Sequence, residues 1–179
     1  PKTIVVPPEP HQVGCRHVNE ARRELIGETL PGIGSWDDFV YPVNHADACR
    51  WLDDFLAQRL QQFGAYEDAI STRHRVMWHG VLTPMLNCGL LTPKQVIDRT
   101  MEYAGEVEIP INSLEGFLRQ IIGWREFMAA MYRLHGVKMR NGNFWDFADR
   151  PIPSAFYEGT TGLPPIDDAI HHALSTGYC

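Results

Sequence analysis

Long apolar runs are missing from this sequence. None approaches the ~20 residues that a membrane-spanning helix requires, and the N-terminus carries no signal-peptide pattern. Metal and disulfide spacings are missing as well. Cys15, Cys49, Cys88 and Cys179 form no CxxC pair. Cys49 and Cys88 fall in helical patterns and read as small buried hydrophobes. His171 and His172 are adjacent, so a regular helix cannot turn both towards one metal. No metal site is expected, and a reducing, cytoplasmic setting is. GxGxxG, a Walker loop, HExxH and a nucleophile elbow are all absent. Glu102, Glu106 and Glu108 fall at a helix end and in a loop, where solvation is their expected fate, so no self-contained hydrolytic site is expected. There is no initiating Met and no stop signal before Tyr178-Cys179, so a piece of a longer protein is expected.

What is present is ordinary in bulk. The 179 residues are 44% hydrophobic and 21% charged, enough for one domain with a real core. The formal net charge of −6 argues against a nonspecific nucleic-acid binder. The charge is uneven, however. Between Pro110 and Arg140 stand Arg119, Arg125, Arg133, Lys138 and Arg140, against Glu115 and Glu126. A local basic face and an ordinary solvated helix surface both fit.

No stretch pairs convincingly as strands, and neither repeats nor low-complexity tracts occur. The fold class is read as all-α, an irregular stack of helices of uneven length. Residues 1–35 read as a Pro-rich linker or arm with one short helix, His17–Leu30; residues 36–179 read as the helical domain. Asn44 caps a helix expected to run to Phe63 and stop at Gly64, with Ala48, Trp51, Leu52, Phe55, Leu56, Leu60 and Phe63 in one stripe. Thr92, Pro93 and Gln95 mark the start of another helix with a capping box. Pro164-Pro165 opens the last.

The longest periodic run is Asn112–Gly136. Leu114, Phe117, Leu118, Ile121, Ile122, Trp124, Met128, Met131 and Tyr132 recur every three or four residues, predicting a helix that buries a broad stripe. Asn112 with Glu115 reads as its capping box and Gly136 as its stop. Gln120, Arg125 and Glu126 are polar intruders in that stripe, and Gly123 costs about 1 kcal/mol relative to Ala, so something is expected to need polar groups and close approach there. A second candidate is MWHGVLTPMLNCGLLTP. Gly80 permits close backbone approach, and free N–H groups at a helix start with the Thr83 hydroxyl suit a phosphate; Thr83-Pro84 reads equally as a plain N-cap and first-turn proline.

Three motifs resemble the cryptochrome/photolyase family, in the family's order. WHGVLTPMLNCGLLTP resembles the stretch TSxLSxxLxxGxLSP, FLRQIIGWREF the WREF helix with Gly123 inserted, and TGLPPIDDAIHHALSTGY the pattern TGxPxVDAxMRxLxxTGW. FGAYEDA, LTPMLNCGLL and EGFLRQIIGWREF are similar to the prokaryotic branch that includes the bacterial (6-4) photolyases. The likeness runs from Trp36 to Cys179. It implies the N-terminal part of a helical FAD-binding domain, in which photoexcited reduced flavin passes an electron to an ultraviolet lesion in DNA. By position, Tyr66 and His79, Gly80, Val81, Leu82 and Thr83 fall where the family holds the FAD phosphates and ribitol, and Phe117 and Gln120 where it lines the flavin cavity. Gln120, Trp124 and Arg125 match positions that meet the lesion or the DNA backbone, where Trp stacks on a base and Arg grips a phosphate. Photolyases flip their target base out of the stack.

Departures qualify the likeness. Pro165 stands where the iron–sulfur branch has its first cluster cysteine, so no such cluster is implied. Tyr157 stands where relatives use Trp for electron transfer. The histidines and helices that follow in relatives, and the N-terminal antenna domain, lie outside this sequence. FAD is therefore expected to be held weakly or not at all by this piece, and self-association through uncovered apolar surface is expected. Besides a repair enzyme acting on ultraviolet-damaged DNA, two readings stay open: a cryptochrome-like photoreceptor, and a helical module without flavin.

Overall fold

A computed structural model describes residues 4–10, 16–25, 32–35, 39–143, 145 and 151–178. Cys15, Trp36, Cys179, the end of the helix expected over His17–Leu30 and most of 144–150 lie outside the described residues. The secondary structure is all helical, with no strand among the described residues: α1 (Arg16–Glu24), α2 (His45–Gln58), α3 (Leu60–Tyr66), α4 (Thr83–Asn87), α5 (Pro93–Glu106), α6 (Ile111–Asn141), α7 (Ala155–Glu158) and α8 (Pro164–Thr176). Two compact units divide the chain: Pro1–Cys15 with Val40–Gly136, and Arg16–Phe39 with Val137–Cys179.

The first unit is built on α2. Asn44 starts it, its side-chain oxygen accepting the Asp47 N–H at 2.9 Å. One face of α2 then delivers Ala48, Leu52, Phe55 and Leu56 to a core completed by Leu60, Phe63, Met85, Leu91, Val96, Phe117 and Ile121. Helices α3 and α5 pack on α2. The start of α5 follows its sequence signals: Gln95 N–H donates to Thr92 Oγ1 at 3.2 Å, and Gln95 Oε1 accepts the Thr92 N–H at 2.8 Å.

Five local expectations are corrected. The helix expected over Asn44–Phe63 breaks at Arg59 (φ −125°) and resumes as α3, because the Arg59 side chain is drawn inside by partners far along the chain. Gly64 does not stop it. Gly64 lies within α3, where an added Cβ would sit 2.5 Å from the carbonyl carbon and oxygen of Asn112; its N–H donates to Ser113 Oγ at 2.9 Å. That contact, and not an Asn112–Glu115 capping box, starts α6. The helix begins at Ile111, Pro110 O accepts the Ser113 and Leu114 N–H groups, and Glu115 reaches forward to Arg119 at 3.6 Å. Gly136 does not end α6 either; the helix-compatible residues after it carry the helix to Asn141. Cys49 and Cys88 are exposed, not buried: Cys49 lies off the buried stripe of α2, and Cys88 is the C-cap of the short α4.

In the second unit α7 packs on α8, and the Gly34 N–H donates to Leu174 O at 2.9 Å. Asp167 ties down the turn into α8. Its Oδ1 accepts from the Thr161 hydroxyl at 2.6 Å and the Thr161 N–H at 2.8 Å, and its Oδ2 from the Gly162 N–H at 3.0 Å. These bonds favour the carboxylate and hold Asp167 below its ordinary value of 3.8, the Thr161 hydroxyl contributing most. A depressed carboxylate stabilises the fold above its unfolded-state value and loses that contribution as the pH falls through the lower folded value. Asp167→Asn is therefore expected to weaken the turn at neutral pH and to flatten its response to acid, read from the amide resonances of Thr161 and Gly162 between pH 5 and pH 2. An unchanged acid response would refute the assignment.

Candidate functional site

The loop between α3 and α4 concentrates the residues of interest. Trp78 is buried and stacks on half-buried Tyr66, ring centroids 4.3 Å apart. His79 is exposed and meets the edge of Phe63 at 6.5 Å. Gly80 lies against the core: a Cβ there would stand 3.3 Å from the Leu82 side chain and 3.4 Å from that of Phe55. Leu82 is buried. Thr83 is exposed and is the first residue of α4, one position later than an N-cap; Leu82 takes the cap position without a side-chain bond. The Thr83 hydroxyl is thus free for an external partner. With five residues α4 carries little macrodipole, so any anion there must be held by individual donors.

Two residues of this loop have left-handed backbone without being glycine, Met77 (φ +48°) and Val81 (φ +49°). A β-branched residue in that region is a genuine outlier, and each such residue costs about 1–3 kcal/mol and persists only where its surroundings over-determine it. Helix α2 does so from behind. Trp51 Nε1 donates to Gly80 O at 2.9 Å, and Arg59 Nε donates to Met77 O at 3.0 Å. Arg59 is 4% exposed. Burial lowers its pKa, while the carboxylates of Glu9 and Asp54 act in the opposite sense. With their carbonyls turned to α2, Met77 and Gly80 leave the outer edge of the loop to other groups.

A groove of about 340 Å³ runs behind the loop, past His79 and Gly80 and between α2 and the N-terminal arm. Glu9, Asp47, Asp53 and Asp54 line it against Arg50 and Arg59. Asp47 is ion-paired to Arg50. Asp53 is ion-paired to Arg99 from outside the lining, which leaves Glu9 and Asp54 beside Arg59 and the groove net acidic, disfavouring an anion. Tyr66 and Thr83 are not among the lining residues, so the acidic groove and the free hydroxyl are separate features.

Helix α6 supplies the other candidates. Its stripe is buried only at first. Phe117 and Ile121 are in the core, with Phe117 rings 4.7 Å from Phe55 and 5.6 Å from Phe63. Beyond Ile121 the broad burial expected from the periodicity does not hold: Ile122, Trp124, Phe127, Met128 and Tyr132 are exposed. Gln120 is exposed, and Trp124, 64% exposed, stacks on Phe127 at 5.9 Å. Half-buried Arg125 folds back, Nη1 donating to Ile121 O at 2.9 Å. Gly123 is exposed, and an added Cβ would meet only the Arg119 side chain within 4 Å. The expected close approach occurs at Gly64 instead.

The loop, the WREF-like helix and the TGLPP turn are therefore discrete structures in the order of the motifs. No protein-family model matches the chain. A (6-4) photolyase of Agrobacterium fabrum is 34% identical over 145 residues, 81% of this chain and 28% of that protein. The chain belongs to the cryptochrome/photolyase family. An uncharacterized protein of Acanthamoeba polyphaga mimivirus is 34% identical over 113 residues, 63% of this chain and 85% of that protein. This member of the photolyase family spans 28% of the length of the Agrobacterium protein.

Within the family frame the first unit brings together Tyr66, His79–Thr83 and Phe117 around one aromatic core. Phe117 is enclosed in that core, with its ring committed to packing. Tyr157 belongs to the second unit, on α7, and is 63% exposed. Sequence reading missed the residues that hold the loop, Glu9, Trp51 and Arg59. Arg59 did leave a signal: it is a charge set one turn after Phe55, inside the apolar stripe. Among the described residues no helix is long and apolar enough to cross a membrane, and no three His, Cys, Asp or Glu side chains converge as metal ligands would.

Proposed function

We propose that this chain is part of a light-driven, FAD-dependent DNA photolyase that reverses ultraviolet pyrimidine lesions. FAD, when bound, supplies the photoexcited electron. The loop Met77–Thr83 carries the reading: a strained turn, held from behind, that stacks Trp78 on Tyr66 and presents an unpartnered Thr83 hydroxyl. The groove behind it is net acidic, which favours the outer edge of the loop for the phosphates, where Val81, Leu82 and Thr83 offer amides and Thr83 a hydroxyl. Tyr66 and His79 flank the ribitol. Phe117 supports His79 indirectly, through Phe63. Gln120 and Trp124 face the lesion, Trp124 as a stacking platform. Arg125 takes a DNA phosphate after releasing Ile121 O. Tyr157 relays electrons, less readily than Trp.

The deciding experiment takes the full-length protein, its flavin absorbance, and illumination with ultraviolet-damaged oligonucleotide. Flavin with lesion reversal supports the enzyme. Flavin without reversal favours a cryptochrome-like photoreceptor, and no flavin leaves a helical module; the net charge of −6 and Tyr157 in place of Trp favour these two readings over the enzyme. On the 179-residue chain alone FAD binding is expected to be weak, and stoichiometric flavin there would count against that part of the proposal.

Arg125→Ala in the full-length protein is expected to weaken damaged-DNA binding and to reduce the slope of log K against log salt by about 1. An unchanged slope removes Arg125 from the phosphate contacts. The exposed apolar side chains of α6 also support self-association of the isolated chain. A sedimentation coefficient that stays constant over a hundredfold dilution would exclude it.

A further inference from the structure

The loop assigned above to FAD is tied to a segment nearly seventy residues before it. Glu9 Oε1 accepts the Arg75 N–H at 3.1 Å and the Val76 N–H at 3.5 Å. Next to Glu9, Pro8 O accepts from Arg59 Nη2. The same guanidinium donates through Nε to Met77 O. A closed ring results: arm to Arg59, Arg59 to Met77, Met77 back along the chain to Arg75, and Arg75 to the arm through Glu9. Met77 is one of the two strained residues, and the ring fixes the backbone on both sides of it.

The two sides of the ring differ in kind. Arg59 is buried, whereas Glu9 is exposed, hydrogen-bonds to the loop amides of Arg75 and Val76, and reaches Arg59 only through its charge. Glu9 can be changed without opening the core. The prolines on either side of it, Pro8 and Pro10, stiffen the arm, so little backbone freedom is lost when the carboxylate docks.

We propose that Glu9 is a positioning residue for cofactor binding: as a strap across residues 75–77, it holds the turn that aims Val81–Thr83 at the FAD phosphates. This rests on the reading of the loop as the phosphate site. The acceptor oxygen is the working part. A glutamine keeps that oxygen and retains most of the function, and an alanine does not.

The test uses Glu9→Ala and Glu9→Gln. In the 179-residue chain, amide exchange at Arg75 and Val76 is expected to speed up about tenfold in E9A and far less in E9Q. In the full-length protein, FAD affinity is expected to fall about fivefold or more in E9A, while riboflavin, which lacks the phosphates, binds as before. Unchanged exchange in E9A overturns the strap. So does an E9Q variant that falls as far as E9A. Equal losses for FAD and riboflavin mean general loosening and overturn the positioning role. If the wild-type full-length protein binds riboflavin as well as FAD, the phosphate reading of the loop fails and the role of Glu9 falls with it. If wild type prefers FAD and E9A keeps that preference, the role of Glu9 fails alone.

Discussion

Replacing Gly64 by Ala is expected to be among the most damaging single changes in this chain. The added methyl would lie 2.5 Å from the carbonyl carbon and oxygen of Asn112 and 2.6 Å from the Ser113 nitrogen. All three are backbone atoms, so no side-chain rotation relieves the clash. Either α3 or the start of α6 must move, and moving either one breaks the bonds from the Gly64 N–H to Ser113 Oγ and from Ser113 Oγ to Gln61 O. Ser113 is 1% exposed, so its hydroxyl has no water to turn to. Overpacking usually costs 1–3 kcal/mol, and a backbone clash joined to a lost buried hydrogen bond places this change at about 3 kcal/mol or above. Domains of this size are stable by only about 5–15 kcal/mol. Urea denaturation followed by tryptophan fluorescence measures the change; a midpoint within error of wild type would show that the α3–α6 junction is softer than its geometry.

Phe55→Ala is the second. Phe55 is 1% exposed, with Phe117 at 4.7 Å and Phe63 at 6.2 Å edge-on. Removing a fully buried phenyl ring typically costs about 3–5 kcal/mol, part transfer free energy and part residual cavity. The effect here reaches beyond stability, because the Phe55 ring also backs Gly80. Its loss lets the strained turn settle into the vacated space. The expectation is a lower denaturation midpoint together with a larger near-ultraviolet change than in Leu56→Ala, which opens the same core at a side chain that does not line the groove past Gly80. Equal spectra for the two variants would separate the loop from the core.

The contrast between what the sequence disclosed and what it hid follows from the range of the interactions. Two caps whose partners lie three residues away were legible, Asn44 with Asp47 and Thr92 with Gln95, whereas the same spacing at Asn112 and Glu115 misled because Ser113 is held by α3. The stripe of α2 was legible because period and burial coincide. The break at Arg59 was not, because its partners lie 18 and 51 residues off. Gly64 read as a stop because glycine at a helix end and glycine at a helix crossing look alike locally. The stripe of α6 has one period throughout, and periodicity cannot tell which half finds a neighbour. In the candidate site, the motif residues were reached by likeness to the family. The arm that braces them was not, since a lone Glu between two prolines carries no pattern.

The order in which the core is assembled has a bearing on synthesis. All its buried members fall between Ala48 and Ile121, and they arrive through helices adjacent in the chain. Domains fold as units while the chain is still growing. A nascent polypeptide therefore has everything needed to close this core before α7 or α8 has been translated. The far half of α6 and the TGLPP turn are made after that core is complete.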